Sequence, residues 1–308
     1  MALTTTTSGT SAFNLDINNL VEEAFERCGA ELRTGYDLRT ARRSLNLLTI
    51  EWANRGINLW TVEPGQIQLN QGQIMYALPT DTIDLLDHVV RTGTGQNQQD
   101  INITRISEST YITIPNKNAQ GRPIQVWINR QSGASNVTTI TTAEALDAIE
   151  TTITLSTTVG LAEFGFIKVD NETIQYGGIS GNDLVNCVRG VNNTTAATHL
   201  TGAAVSVQNL PTINVWPCPE QGEYYTFVYY RLRRIQDSGD GGTYTQDIPF
   251  RFLPCMVAGL AYHLSVKIPE AFPRIQMLKA AYEQEFQIAA DEDREKASLR
   301  LAPRQQFY

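Results

Sequence analysis

The sequence predicts an α+β protein: an α-helical bundle made of an N-terminal αα-hairpin and two C-terminal helices, with antiparallel β-hairpins and an inserted small all-β domain. Three observations predict it. Apolar residues recur at steps of three and four near both ends of the chain, the period of a helix with one buried face. From Trp60 the period drops to two, the alternation of half-buried strands. Between 131 and 209 the composition shifts to Thr, Gly, Asn and Ala, and short strand signals recur between turns.

Residues 1–13 read as a flexible Thr/Ser-rich arm with too little apolar surface to fold alone. Ile17, Leu20, Val21, Ala24, Phe25 and Cys28 then mark a first helix, with Asp16 as its N-cap and Glu22 and Glu23 early in it. Leu38, Ala41, Leu45, Leu48 and Trp52 mark a second, closed at Asn54-Arg55-Gly56, where Gly56 takes the left-handed cap. The two stripes are expected to face each other.

Ile67 and Leu69 alternate with Gln, the turn Asn70-Gln71-Gly72 follows, and 74–78 returns before Pro79, which predicts a β-hairpin. Strands are expected at 83–90 and 124–128, with a short helix or turn at 106–112. The inserted module carries strand signals at 153–155, 166–169, 173–176, 184–188 and 204–207. A second hairpin is expected from 213–216, the turn 217–222 and the Tyr-rich run 224–235. Two helices end the pattern. One spans about 250–267 with Pro254 confined to its first turn, and the other starts near Pro273 and carries Leu278, Tyr282 and Phe286. The expected organisation is a core of 14–130 with 210–297, a module at 131–209 and a tail at 298–308, with Trp52, Trp60 and Trp127 packing helices onto sheet.

The chain has 308 residues, about two domains' worth. Its 32 acidic against 24 basic residues give a net charge of -8, which argues against a protein that coats nucleic acid but allows a local basic patch. No apolar run long enough to span a membrane and no signal-peptide pattern is seen, so no membrane association is expected. Cys28, Cys187, Cys218 and Cys255 are far apart and read as buried or incidental thiols in a reducing cytoplasm.

Signatures of catalysis are missing: no P-loop, no H-E-x-x-H, no G-x-S-x-G, and Gly93-Thr-Gly95 lacks the third Gly of a dinucleotide fingerprint. His88, His199 and His263 lie in separate segments and read as structural. The loop Asp237-Ser-Gly-Asp240-Gly-Gly reads either as a calcium loop without the remaining acidic positions or as a Gly-rich turn. No catalytic residue, metal ligand or cofactor is therefore expected.

Two basic clusters and one tail are candidate binding residues. Arg39, Arg42 and Arg43 lie on the polar side of the second helix, and Arg39 and Arg43, one turn apart, suit a carboxylate or phosphate surface or a solvated face. Arg231 and Arg233 project from one face of the Tyr-rich strand and suit a channel lining, an intersubunit contact or a surface salt bridge. Leu299, Leu301, Phe307 and Tyr308 follow a charged helix end, and the terminal aromatics suit an anchor in a partner's groove or a disordered end.

The runs Glu51-Trp-Ala-Asn-Arg-Gly-Ile-Asn-Leu-Trp-Thr-Val62 and Gln66-Ile-Gln-Leu-Asn-Gln-Gly-Gln-Ile-Met-Tyr-Ala-Leu-Pro79 resemble the head-to-tail adaptor (tail accessory factor, or packaged-DNA stabilisation protein) of short-tailed phages, the podoviruses. Ile213-Asn-Val-Trp-Pro-Cys-Pro219 and Tyr225-Thr-Phe-Val-Tyr-Tyr-Arg231, followed by two helices, are similar to that family's C-terminal half. The resemblance covers about 14–130 and 210–300, and the 131–209 insertion looks like a small β module of phage virion proteins.

The resemblance implies a homo-oligomeric, dodecameric ring in the virion, assembled in the host cytoplasm. It docks under the portal protein, extends the DNA channel, retains packaged DNA and offers a platform to the tail nozzle and tail fibres. Duplex DNA then passes non-specifically through the lumen, and an acidic wall suits sliding because it repels phosphate. Under the resemblance Arg39, Arg42, Arg43, Leu299, Leu301, Phe307 and Tyr308 face the portal, and Arg231 and Arg233 face the channel or a neighbouring subunit. A tail-tube protein of the same virion, a cell-wall glycan hydrolase and a receptor-binding role for the module are the alternatives.

Overall fold

The computed structural model describes residues 10–33, 35–131, 135–220, 222, 224–239 and 243–294. In chain order its elements are α1 (Ile17–Cys28), α2 (Gly35–Arg55), β1 (Val62–Leu69), β2 (Met75–Ala77), β3 (Thr82–Thr92), β4 (Gln99–Asn102), β5 (Thr104–Ile106), α3 (Glu108–Ile112), β6 (Gln125–Asn129), β7 (Ser135–Thr141), β8 (Ile153–Thr154), β9 (Gly165–Val169), β10 (Glu172–Tyr176), β11 (Gly178–Ser180), β12 (Asp183–Val185), β13 (Ala204–Gln208), β14 (Thr212–Trp216), β15 (Tyr225–Arg233), α4 (Leu253–Ser265) and α5 (Ile275–Glu292). The fold is α+β, with helices and mostly antiparallel strands.

The described residues fall into two compact units, one made of those up to Thr61 with those from Arg234 onward, the other of Val62–Arg233. Residues expected to form one core, 14–130 with 210–297, are thus shared between the units, and 131–209 lies inside the second.

In the first unit local signals set the helix ends. Asp16 Oδ1 accepts from Asn19 N–H at 2.8 Å at the start of α1. Gly29 closes it at φ 76°, where an added Cβ would also lie 2.7 Å from the Arg274 guanidinium. Both α1 and α2 pack chiefly on α4 rather than on each other, which corrects the expected face-to-face hairpin. The reason is that α4 is apolar nearly all round: Leu253, Met256, Val257, Leu260, Ala261 and Leu264 are all buried, so it serves as the central post. At Gly259 an added Cβ would come 2.9 Å from both Leu48 of α2 and Tyr282 of α5, so the missing side chain sets how closely the three helices approach. Trp52 meets Phe252 and Phe286 edge-on at 6.4 and 6.5 Å. Trp52 and Trp60 belong to this helical core, whereas Trp127 stacks on Tyr111 at 5.1 Å in the second unit.

The second unit contains two four-stranded sheets, β1-β15-β3-β4 and β2-β14-β6-β5, that share one core including Leu69, Tyr76, Leu85, Val126, Ile213 and Phe227. Neither expected hairpin forms. β1 pairs with β15, from Val62↔Leu232 to Leu69↔Tyr225, while β2 pairs with β14 at Ile213↔Tyr76. The chain therefore crosses from one sheet to the other at Asn70–Gln73, and again after Trp216 ends β14 and before Tyr225 begins β15. Tyr76 explains the first crossing: its hydroxyl accepts from Asn70 N–H at 2.8 Å and lies 2.9 Å from Gln73 O, holding a turn that redirects the chain. Gly72 N–H donates to Pro219 O at 3.1 Å, so the two crossings lie side by side.

The 131–209 stretch forms two further sheets, β10-β9-β13-β7 and β11-β12-β8, around Ile153, Ile167, Ile174, Leu184 and Val205. It is joined to the sandwich by more than its two connecting chains. Gln175 Nε2 donates to Met75 O at 2.8 Å, and Phe166 packs with Met75 and Leu210.

Candidate functional site

The helix α2 buries Ala41, Ser44, Leu45, Leu48, Thr49 and Trp52 and turns the opposite side to solvent. That outward side holds the three arginines singled out from the sequence. Arg39 and Arg43 are exposed and one turn apart, and Arg42 is half-buried beside them. Tyr36, Asn46, Ser238 and Gly239 join them around a shallow groove of about 480 Å³. Ser238 is 2% exposed, its N–H donates to Asn46 Oδ1 at 3.0 Å, and its hydroxyl has no hydrogen-bond partner among the described residues.

On the other flank of α2, Arg43 and Lys267 line a second groove with Tyr36, Thr40, Leu47 and Leu264. Lys267 Nζ donates to Ser44 Oγ at 2.7 Å. Partial burial, with Arg43 nearby as a second cause, holds the Lys267 ammonium below its ordinary pKa. Among the described residues neither Arg39 nor Arg43 is in an ion pair, so these two guanidinium groups stand open on a chain of net charge -8, with Asp37 beside Arg43 in the second groove. Such a face favours an anionic partner surface.

The other candidate arginines are differently placed. Arg231 donates to Glu63 Oε2 at 2.8 Å and to Asp81, and Arg233 donates to Glu63 Oε1 at 2.6 Å. Their side chains are 12% and 10% exposed. Burial works against the Arg231 charge, but Asp81 and Glu63 outweigh it and raise its pKa. Both arginines form ion pairs with Glu63, tying β15 to β1. Arg234 points elsewhere, to Asp237 at 3.2 Å. Leu299, Leu301, Phe307 and Tyr308 lie outside the described residues.

The three histidines lie in three separate surroundings. His88 stacks on Phe227 at 5.7 Å, and burial, then Arg105, lowers its pKa. His263 Nε2 is 3.0 Å from Glu51 Oε2, in a network where Tyr282 O–H donates to Glu51 at 2.9 Å and Trp52 Nε1–H donates to Tyr282 at 3.2 Å. His199 lies 2.8 Å from both Asp170 and Glu172 in the inserted module. There Glu172, 1% exposed, also accepts from Arg189 at 2.8 Å and from the N–H groups of Gly190 and Ala197 at 2.9 and 3.0 Å. Burial works to raise this carboxyl, but those bonds outweigh it and bring it down to about 2. All four thiols are buried, and burial pushes those of Cys187 and Cys255 up to about 12. Among the described residues no group of His, Cys, Asp and Glu side chains is placed to hold a metal ion, and no helix is long and apolar enough to cross a membrane.

No family model and no curated protein matches the chain. The functional assignment therefore rests on the residues themselves. Three that sequence reasoning passed over belong to the candidate face: Tyr36, Leu47 and Ile50, exposed at helical spacing with Arg39 and Arg43. The available signal was Leu47 and Ile50, apolar residues that do not fit the stripe of Ala41, Leu45, Leu48 and Trp52.

Proposed function

We propose that the chain is a structural, non-enzymatic head-to-tail adaptor of a short-tailed phage. Copies form a ring beneath the portal protein, extend the DNA channel, help retain packaged DNA, and carry the tail nozzle and tail fibres. The protein acts in the virion and passes through the host cytoplasm during assembly.

One observation carries the reading: within the second unit, the stretches that resemble the adaptor family are neighbours in space. The run from Glu51 to Val62 closes α2 and opens β1, Gln66 to Pro79 supplies the rest of β1 and β2, Ile213 to Pro219 supplies β14, and Tyr225 to Arg231 lies in β15. β1 is the partner of β15 and β2 the partner of β14. Strands far apart in the chain thus build one sandwich, which a chance likeness of scattered segments gives no reason to expect. The tail from Leu299 to Tyr308 is the part assigned to the portal.

The test is electron microscopy of the purified chain at micromolar concentration, alone and mixed with the portal of the same phage. A ring that appears only with portal is expected. Rings or tubes of the chain alone indicate a tail-tube protein, and the absence of any portal complex overturns the reading. A chain ending at Leu299 is expected to keep its fold and to lose portal binding.

A further inference from the structure

Two exposed faces of the helical unit match each other in charge, spacing and apolar character. Along α2, Tyr36, Arg39, Arg43, Leu47 and Ile50 follow at steps of three, four, four and three, so they form a single stripe. Tyr36, Leu47 and Ile50 are 64%, 57% and 43% exposed, unusual for apolar side chains aligned on one helix face. On α1, Glu22 and Glu26 are also exposed and one turn apart, and among the described residues neither is in an ion pair. Glu23 between them is engaged by Arg27 at 3.0 Å. Glu22 and Glu26 line a groove together with Phe13 and Phe250, which are 75% and 72% exposed, and with Arg27 and Arg251, whose charges are met by Glu23 at 3.0 Å and Glu292 at 4.0 Å.

We propose that the α2 stripe of one copy docks in the α1 groove of the next. Arg39 and Arg43 then face Glu22 and Glu26, pairs that each span about 6 Å along their helices. Leu47, Ile50 and Tyr36 meet Phe13 and Phe250. The occupant is a second copy because both halves of the match sit on the same helical unit with the same one-turn spacing. Duplex DNA suits the stripe less well, since its basic half continues into aliphatic side chains that no phosphate satisfies. A contact between two different faces is heterologous and leaves one face of each kind open on every dimer, so it propagates into a ring or an open array. The inference rests on the adaptor reading for the closure of the ring, but not for the pairing itself.

The test is sedimentation velocity of the full chain up to ~1 mM in 50 mM and 500 mM salt, with circular dichroism as the control for folding. The interface is small, so dissociation in the range of ~100 μM at low salt and at least about 10-fold weaker association at high salt are expected. Arg39→Glu with Arg43→Glu places acid against acid, and Glu22→Arg with Glu26→Arg places base against base. Each double variant alone is expected to associate at least about 10-fold more weakly than the native chain. An equimolar mixture of the two is expected to recover association, because every junction between unlike copies again joins acid to base. Misfolding is not repaired by mixing, so this recovery separates the interface from simple damage. A native chain that stays monomeric at low salt, variants that associate as the native chain does, or a mixture that stays monomeric overturns the proposal. Portal binding without this lateral coupling refutes the interface alone; lateral coupling without portal binding refutes the adaptor reading alone.

Discussion

Replacing Glu172 by Gln removes the charge at the centre of the inserted module while keeping the side chain's shape. The folded carboxyl lies at about 2 against an ordinary 4.5, a difference worth about 3 kcal/mol of stability at neutral pH. Because the folded value is the lower one, that stability is fully present above pH 4.5 and is lost as the pH falls toward 2. The figure of about 3 kcal/mol is a lower estimate for the variant, since Arg189, with a side chain only 6% exposed, keeps its charge and loses its carboxylate. Native-state hydrogen exchange read by mass spectrometry suits the measurement, because it reports on the module separately from the helical unit. Amides of β9, β10 and β13 are expected to exchange about 100-fold faster in the variant at pH 7, a factor equivalent to about 3 kcal/mol. Between pH 4.5 and 2 the native module is expected to lose protection and the variant to change much less. Equal protection at pH 7, or the same pH slope in both proteins, refutes the argument that this carboxylate organises the module.

Gly259→Val forces a branched side chain between Leu48 and Tyr282, and is expected to cost about 2 kcal/mol or more of helical-unit stability in a urea titration; an unchanged midpoint shows that the three helices are not held at that distance by Gly259. Glu63→Gln takes the shared carboxylate from Arg231 and Arg233, and since Glu63 is 40% exposed the expected loss is modest, about 1 kcal/mol, read as faster amide exchange in β1 and β15. Burial that pushes Cys187 and Cys255 up to about 12 predicts no alkylation by iodoacetamide at pH 7.5 in the folded protein and rapid alkylation in urea; peptide mapping that finds either site modified before unfolding contradicts their burial.

The helices were legible because their signals are local. Asp16, Gly29 and Gly56 stand at or beside the helix ends, and the apolar periods of α1, α2, α4 and α5 name the buried faces. What periodicity does not carry is which elements meet. Two alternating runs joined by Asn70-Gln71-Gly72 have the local pattern of a hairpin, yet β1 finds its partner in β15 because Leu69 and Phe227 fill the sandwich core from that sheet. β7, Ser135–Thr141, escaped notice because its residues are mostly Thr, Ser and Asn, with little apolar alternation. The Glu172 cluster was equally invisible, since its bonds join residues 17, 18, 25 and 27 positions away across turns. Of the candidate sites, the α2 arginines were found by their spacing, whereas the burial of Arg231 and Arg233 against Glu63 depends on a strand pairing that the sequence pattern leaves open.

The position of the inserted module follows from the sandwich topology. β6 and β14 are adjacent antiparallel strands, paired from Trp216↔Gln125 to Thr212↔Asn129. The chain leaves β6 at Asn129 and enters β14 at Thr212, so the module occupies the place of a hairpin loop joining two neighbours. Its ends are brought together by a ladder that exists without it, and the added entropic cost of a longer connection grows only with the logarithm of its length. Insertion at this point therefore disturbs neither strand order nor register, as tolerated insertions at loop tips require. The contacts of Phe166 with Met75 and Leu210, and of Gln175 with Met75 O, then fix a module that its connections alone leave loosely tethered. A domain added at a loop but fastened at a second place holds a defined position on the sandwich that carries it, which a module tethered by its two connections alone does not.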